Sequence, residues 1–214
     1  MKTALITGAT SGLGEAIADY YHNNNHRVIG ISRTSKEIQC NLSNIKEVNS
    51  LVHKITKPES LIEVDVMVNN AGKLWLDENY RAGKELSWLW SLLLYAPYVF
   101  MKEIKVKRHI INIASVSGMK ADLDTPMYGA LKAGLISMTK SFAVKLAPEV
   151  RVNCISPGFF NTNLVPGEVP VQLLEPVPLM REAKPSEIIP VVKMLDESEY
   201  ITGANIVIDG GLTA

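Results

Sequence analysis

Residues 3–14 read Thr-Ala-Leu-Ile-Thr-Gly-Ala-Thr-Ser-Gly-Leu-Gly, and this stretch decides the fold. The apolar run Ala4 to Ile6 has the pattern of a buried strand, and a helical pattern begins near Leu13. Three glycines mark the turn between these two elements. Because glycine has no side chain, backbone N–H groups and a helix N-terminus can approach a phosphate closely at such a turn. The stretch therefore predicts a phosphate-binding unit of strand, turn and helix.

Short β-branched runs alternate with longer helical patterns along the rest of the chain. The predicted strands lie near Thr3–Thr7, Arg27–Ser32, Ile38–Cys40, Val64–Asn69, His109–Ala114, Val152–Ser156 and Asn205–Ile208. The predicted helices lie near Leu13–His22, Asn44–Ile55, Lys84–Glu103, Met127–Leu146 and Ser186–Leu195. This rhythm predicts an α/β fold in a single domain over residues 1–214, namely a doubly wound Rossmann-type parallel sheet of about seven strands with helices on both faces.

The composition indicates small-molecule partners. Lys and Arg together number 22, as do Asp and Glu, so there is no charge footprint for nucleic acid or an anionic membrane. The most apolar segment, Trp88 to Met101, is too short to cross a bilayer and contains Pro97. Cys40 and Cys154 lack a Cys-x-x-Cys spacing, which favours two buried thiols over a disulfide. No secretory signal is visible, and we expect a cytoplasmic protein.

Tyr128 and Lys132 are the candidate catalytic pair. Their spacing of four residues places both on one face of a helix, where the ammonium favours the phenolate form of the tyrosine. Tyr128 is therefore a candidate general acid/base. On this spacing alone, a pair that covers protein surface is the more common outcome. Two further features favour chemistry: the glycine turn, and a buried-strand pattern that ends at the hydroxyl of Ser115.

The sequence resembles the short-chain dehydrogenase/reductase family over essentially its whole length. The motifs that carry this resemblance occur in order: Thr7-Gly8-x-x-x-Gly12-x-Gly14, Asn69-Asn70-Ala71-Gly72, Asn112-x-x-Ser115, Tyr128-x-x-x-Lys132, Asn153-x-x-x-Pro157-Gly158 with Thr162, and Thr202-Gly203 with Asp209-Gly210-Gly211. The resemblance implies a seven-stranded doubly wound sheet. It also implies reversible hydride transfer between a nicotinamide cofactor and an alcohol or carbonyl substrate.

The resemblance further implies a role for each matching residue. Ser115 would hydrogen-bond the substrate oxygen, Tyr128 would give it a proton, and Lys132 would lower the pKa of Tyr128 while holding the nicotinamide ribose. The residues expected to contact the cofactor are Gly8, Thr10, Ser11, Gly12, Leu13, Gly14, Ser32, Arg33, Thr34, Asn41, Leu42, Asn70, Ala71, Gly72, Tyr128, Lys132, Pro157, Gly158 and Thr162.

The end of the second predicted strand favours NADP over NAD. NAD-binding folds usually carry a carboxylate there for the ribose 2′-hydroxyl, whereas a 2′-phosphate needs a cation. Here the strand ends in Ser32-Arg33-Thr34, without an acid. Arg33 can make charge-assisted hydrogen bonds to the phosphate, and the two hydroxyls are further donors. The alternative is that Arg33 is a solvated loop cation.

Two positions depart from the family pattern. Asn41 stands where an acid commonly meets the adenine, and its carbonyl oxygen can still accept from the adenine amino group. Leu93 stands where the family has an asparagine that supports a water chain leading protons to the lysine. This second departure keeps another hypothesis open, a dinucleotide-binding sensor or scaffold with weak or no turnover. The intact set of Ser115, Tyr128 and Lys132 favours the enzyme.

Further expectations concern metal, substrate access and assembly. His22 and His26 have the spacing of helical metal ligands but bracket a polar helix end, so no metal is expected. The proline-rich residues 159–181 are predicted as a short substrate lid, with an inert surface connection as the alternative. Their mostly apolar composition suggests an apolar or neutral substrate. The apolar helices Lys84–Glu103 and Met127–Leu146 predict a homodimer or homotetramer.

Overall fold

The computed structural model describes residues 1–74, 84–121, 124–162, 164 and 170–214 of the chain. The sheet is built from seven parallel strands: β1 (Thr3–Thr7), β2 (Arg27–Ser32), β3 (Ile38–Gln39), β4 (Val64–Asn69), β5 (Val106–Ile113), β6 (Arg151–Pro157) and β7 (Asn205–Ile208). Their order is β3-β2-β1-β4-β5-β6-β7. The predicted doubly wound fold is confirmed, although β5 begins three residues before its predicted start at His109.

Helices cover both faces of the sheet. The described helices are α1 (Gly12–Asn23), α2 (Ile45–Ile55), α3 (Lys84–Trp90), α4 (Ala96–Glu103), α5 (Pro126–Leu146), α6 (Val171–Leu174) and α7 (Ile189–Glu197). Neighbouring strand residues point to opposite faces, so Leu5 packs in the core that includes Val48 and Phe100, whereas Ile6 packs in the core that includes Ile17 and Val192. No helix within the described ranges combines the length and apolar character that a membrane span requires.

The predicted continuous helix over Lys84–Glu103 is wrong at its centre. The structure has a π-helical turn at Ser91–Tyr95 between α3 and α4. Pro97 explains the interruption because it has no N–H to donate and its ring displaces the carbonyl of Leu93, four residues earlier. The N–H of Ala96 instead reaches the carbonyl of Ser91, five residues back, which widens the turn.

The connection between β2 and β3 is unusually short. It consists of the five residues Arg33–Glu37, whereas parallel strands are usually joined by a crossover of about a dozen residues or more. The connection is feasible because β3 has two residues, which pair with Ile31 and Ser32 at the end of β2. The loop therefore turns back along β2 without crossing a face of the sheet.

A buried polar network joins β5, β6 and α7 at the opposite end of the strands from the glycine turn. His109 is fully buried, with Nδ1 at 3.4 Å from Asp196 Oδ1 and Nε2 at 3.2 Å from Asn153 Nδ2. The orientation of Asn153 is fixed because its Nδ2 donates to Ile201 O and its Oδ1 accepts from Ala204 N. Nε2 of His109 must therefore accept a hydrogen bond, which leaves the proton on Nδ1.

We expect acid to destabilise the fold through His109. Burial lowers the pKa of His109 below its ordinary value of 6.5, with Arg151 and Arg108 adding to the effect and Asp196 opposing it. The unfolded chain therefore binds a proton before the folded chain does, and stability falls as the pH drops from about 6.5 toward the lower folded pKa. Thermal melts between pH 7.5 and about pH 5 should show a smaller decline for His109→Gln than for the wild type.

The matched control is His53→Gln, because His53 is exposed on α2. That variant should keep the full pH dependence of the wild type. An unchanged decline in His109→Gln would show that other groups cause the acid sensitivity.

Candidate active site

The predicted site residues converge at one edge of the sheet, the carboxyl ends of β1, β4, β5 and β6. The chain leaves β1 toward β2 on one side and leaves β4 toward β5 on the other, so a crevice opens between β1 and β4. Residues 8–14 follow β1, residues 70–72 follow β4, Ser115 follows β5 and Gly158 follows β6. One edge therefore carries both the glycine turn and the candidate catalytic residues.

The glycine turn has the backbone shape that its sequence predicts. Gly8 and Gly12 have positive φ angles of +67° and +58°, which side chains disfavour. A Cβ at Gly14 would lie 2.0 Å from Gly8 O and 2.4 Å from Asn70 Nδ2, so this position excludes a side chain. Ser11 precedes α1 without capping it through its side chain. The backbone therefore forms a tight turn at the start of α1, a cradle of the kind that holds a pyrophosphate.

The segment after β4 is attached to this turn. Asn70 Nδ2 donates to Thr7 O at 3.0 Å and to Gly8 O at 3.2 Å. Thr7 Oγ1 accepts from the backbone N–H groups of Asn70 and Ala71 at 2.9 and 3.0 Å. The two halves of the predicted cofactor site are thus held together by hydrogen bonds that need no ligand.

Tyr128 and Lys132 are buried on α5 rather than covering its surface. Their exposed fractions are 5% and 3%. Lys132 Nζ donates to Ile113 O at 2.8 Å and lies 5.6 Å from the centroid of the Tyr128 ring. Burial lowers the pKa of Lys132 to about 8. The hydrogen bond to the end of β5 therefore fixes the ammonium beside the phenol ring.

Ser115 begins a 3-10 turn, Val116–Gly118, that lies directly on α5. Its Oγ accepts from Ser117 N at 3.1 Å. A Cβ at Gly118 would lie 2.7 Å from Ala133 N, and a Cβ at Gly129 would lie 2.6 Å from Ser117 O. These two glycines therefore permit the close approach that brings Ser115 to the helix turn of Tyr128 and Lys132. The roles of Gly118 and Gly129 are not visible in the sequence pattern, because their partner residues lie more than ten positions away in the chain.

Three hydroxyls meet at the ends of β1 and β2. Thr10 Oγ1 lies 3.4 Å from Ser32 Oγ and 3.4 Å from Thr34 Oγ1, and Thr34 N donates to Ser32 Oγ at 3.1 Å. Arg33 is exposed between them in sequence. The structure thus brings the hydroxyls of Ser32 and Thr34 to Thr10, and Arg33 lies between these two residues in the chain.

The two departures from the family pattern have distinct surroundings. Oδ1 of Asn41 already accepts from Ser43 N at 3.2 Å and from Ser43 Oγ at 2.7 Å, so the expected bond from adenine would compete with Ser43. Leu93 is 1% exposed and packs in one apolar cluster with Tyr128. Leu93 Cδ2 and Lys132 Nζ lie 3.7 and 3.9 Å from the Cβ position of Gly72. An apolar side chain and the lysine therefore both border Gly72, and Leu93 offers no amide there.

The segment after β6 returns to the glycine turn. Gly158 N donates to Ile208 O at 2.9 Å, and a Cβ on Gly158 would lie 2.8 Å from Asp209 Cα. Thr162 lies beside the turn, since its Cβ and Cγ2 are each 3.2 Å from the Cβ position of Gly12. A β-bridge between Phe160 and Ala183 closes the base of the predicted lid. Residues 163 and 165–169 of that lid lie outside the described residues, so the lid stays a prediction.

Comparisons with known proteins agree with this geometry. The family model described as enoyl-(acyl carrier protein) reductase matches residues 8–213. The 3-oxoacyl-(acyl-carrier-protein) reductase FabG of Thermotoga maritima is 33% identical over 242 residues, which cover 99% of this chain and 97% of the relative. Carbonyl reductase family member 4 of Xenopus tropicalis is 30% identical over 232 residues, which cover 99% and 98%.

A solved structure of 4-hydroxyisoleucine dehydrogenase complexed with NADH superposes with a TM-score of 0.86 at 28% identity, covering 100% of this chain and 99% of that one. One assignment follows from the sheet order, the glycine turn, the buried Tyr128–Lys132 pair and these similarities. The chain belongs to the short-chain dehydrogenase/reductase family, the oxidoreductases that act on CH–OH and C=O groups.

Proposed function

We propose that this protein is an NADP-dependent oxidoreductase in which Tyr128 is the general acid/base. The observation that carries the proposal is the burial of Tyr128 and Lys132 against the turn of Ser115, at the sheet edge that bears the glycine cradle. The cradle supports a dinucleotide because Gly8 and Gly12 have positive φ angles in a tight turn directly before the N-terminus of α1. Residues 8–14 would hold the pyrophosphate, and Lys132 would hold the nicotinamide ribose.

The proposed chemistry divides between the cofactor and the chain. When bound, a reduced nicotinamide would supply the hydride for the carbonyl carbon. Ser115 would orient the substrate oxygen through a hydrogen bond, and the Tyr128 hydroxyl would donate its proton to that oxygen as negative charge develops. Lys132 would stabilise the resulting phenolate electrostatically, which is effective because the pair is shielded from water.

The substrate proposal is a small carbonyl or alcohol compound. The relatives named above include a 3-oxoacyl reductase and a carbonyl reductase, which supports reduction of a C=O group. In the described parts of the predicted lid, Leu164, Leu173, Leu179 and Met180 are exposed apolar side chains. These side chains support an apolar or neutral substrate.

The proposal extends to assembly and location. Tyr98 on α4 and Val144 on α5 are exposed, the latter at 83%. Apolar residues on these two helices support a homodimer or homotetramer. The free, buried thiols of Cys40 and Cys154 support a reducing cytoplasm.

The proposed activity is tested by mixing the protein with NADPH and a panel of ketones, aldehydes and 3-oxoacyl thioesters, with oxidation followed at the NADPH absorbance band. We expect turnover of at least one class. The sensor or scaffold alternative is favoured by Leu93, which is buried and offers no amide in place of the family asparagine. Tight NADPH binding without turnover of any panel member would support that alternative.

Arg33→Ala should weaken NADPH binding by about 10- to 100-fold, because a charge-assisted contact to the 2′-phosphate is lost. NADH binding should change by less than about threefold, because NADH has no such phosphate. Fluorescence titration gives both dissociation constants.

Arg27→Ala is the matched control, because Arg27 is exposed at the opposite end of β2. It should leave both constants near their wild-type values. Equal weakening of NADPH and NADH by Arg33→Ala would refute the assignment of Arg33.

A further inference from the structure

The short connection between β2 and β3 leaves the outer edge of β2 unpaired at Gly30. In this part of the described chain, β3 pairs with Ile31 and Ser32 and does not extend to Gly30. Backbone N–H and C=O groups at a sheet edge need other hydrogen-bond partners when they are buried. The loop that joins the two strands supplies them.

Ser35 and Glu37 occupy this edge. Ser35 is 2% exposed, and its Oγ lies 2.8 Å from Gly30 O, an acceptor that competes with Glu37 for the single hydroxyl proton. The same Oγ lies 2.7 Å from Glu37 Oε2 and accepts from Glu37 N at 3.3 Å. The hydrogen bond from Ser35, supported by the backbone N–H groups of Glu37 and Gly30, holds the pKa of Glu37 below its ordinary value. Glu37 is therefore an ionised carboxylate that accepts hydrogen bonds at the edge of β2, where β3 does not pair. We refer to Gly30, Ser35 and Glu37 as the loop brace.

The loop brace depends on the absence of a side chain at Gly30. A Cβ there would lie 3.0 Å from both Ser35 Oγ and Glu37 Oε2, and 3.2 Å from the Cβ of Ala9. The brace is thus packed against the glycine turn itself. A displacement of the loop brace at Gly30 would therefore displace Ala9 in the turn.

The loop brace also restricts the conformations available to residues 33–37. Thr34 directly precedes Ser35, and its hydroxyl contacts Thr10 while its amide donates to Ser32 Oγ. A free five-residue loop would sample many conformations, and a ligand that needed one of them would bind more weakly. Anchoring Ser35 and Glu37 to β2 removes most of that freedom before a cofactor arrives.

We propose that Glu37 is a positioning residue for the 2′-phosphate of NADP: through Ser35 and Gly30 it holds the loop so that Thr34 stands beside Thr10, with Arg33 next to Thr34 in the chain. This proposal rests on the NADP preference given under the proposed function. Glu37 itself does not touch the phosphate. Its carboxylate acts through the conformation of the loop.

A purely electrostatic role of Glu37 would change NADPH binding in the opposite direction. An ionised carboxylate near the 2′-phosphate repels it, so a purely electrostatic role predicts tighter NADPH binding when the charge is removed. A positioning role predicts weaker binding when the hydrogen-bond acceptor is removed. Alanine removes both the charge and the acceptor, whereas glutamine removes the charge and keeps an acceptor oxygen.

The test measures dissociation constants of NADPH and NADH for the wild type, Glu37→Ala, Glu37→Gln and Ser35→Ala. Loss of hydrogen bonds to a charged group should weaken NADPH binding to Glu37→Ala and Ser35→Ala by about tenfold or more. NADH binding should fall by less than about threefold in both variants. Glu37→Gln should stay within about threefold of the wild type for both cofactors, because it keeps an acceptor oxygen.

Glu63→Ala is the matched control, since Glu63 pairs with exposed Lys107 at the start of β4 and β5.

The outcomes separate this proposal from the assignment on which it rests. A wild type that prefers NADH would overturn the NADP assignment. With NADPH preferred by the wild type, unchanged or tighter NADPH binding by Glu37→Ala would overturn the positioning role. Equal losses of NADPH and NADH would do the same, since they would indicate general damage to the fold. If Glu37→Ala fails to fold, Ser35→Ala gives the same comparison, and unchanged or tighter NADPH binding by Ser35→Ala would overturn the positioning role.

Discussion

Tyr128→Phe is expected to lower turnover by about three orders of magnitude or more, because it removes the proton donor of the proposed reaction. The substitution deletes the hydroxyl and keeps the ring. The ring packs with Leu89, Leu93 and Leu131 in a buried cluster, so the helix turn and Lys132 should keep their places. The loss should therefore appear in kcat, while the dissociation constant of NADPH changes little.

Steady-state kinetics with the best substrate of the carbonyl panel, together with NADPH titration, measure these two quantities. Tyr200→Phe makes the same chemical change at a fully exposed position and should behave as the wild type. Retention of a tenth or more of the wild-type kcat by Tyr128→Phe would assign the proton to another donor.

Sequence reasoning succeeded where the structure depends on neighbouring residues. The glycine turn is an example, since a strand, three glycines and a helix within residues 3–23 determine their own backbone path. The spacing of Tyr128 and Lys132 is another, because a regular helix fixes the relation of residues one turn apart. Both features are local, and no distant contact was needed to predict them.

Other features of the site depend on contacts between distant segments. The short turn after Ser115 reaches α5 because Gly118 and Gly129 allow two backbones to approach closely. Glycine patterns in a sequence do not identify the partner backbone. The loop brace is similar, since a Ser and a Glu in a loop predict a solvated turn until the length of β3 is known.

The helix interruption at Ser91–Tyr95 has a local cause, a proline within the helical segment. Pro97 indicates a helix defect because it has no N–H to donate, whereas the apolar pattern of the segment predicts one continuous helix. The π-helical turn includes Leu93, whose Cδ2 lies 3.7 Å from the Cβ position of Gly72. The helix defect therefore lies in the segment that places an apolar side chain at the predicted site.

The second large effect is expected from removing the buried ammonium of Lys132. Lys132→Met should lower kcat/KM by about two to three orders of magnitude at pH 7, because the charge that stabilises the Tyr128 phenolate is lost. In the free wild-type enzyme, burial lowers the pKa of Lys132 to about 8 from its ordinary value of 10.5. The ammonium form predominates below that pH, so wild-type kcat/KM for carbonyl reduction should decline as the pH rises through about 8. The methionine variant has no such group and should lack this decline.

Folding stability provides an independent check on the same group. Because the folded pKa lies below the unfolded one, the unfolded chain binds more protons between about pH 8 and pH 10.5, and the contribution of Lys132 to stability rises with pH across that window. The rise should be present in wild-type thermal melts and reduced in Lys132→Met. Lys140→Met, on the same helix and exposed, should retain both the stability rise and the decline in kcat/KM. If Lys132→Met kept the decline near pH 8, a different group would control the reaction, and the ammonium of Lys132 would have no part in the proton transfer.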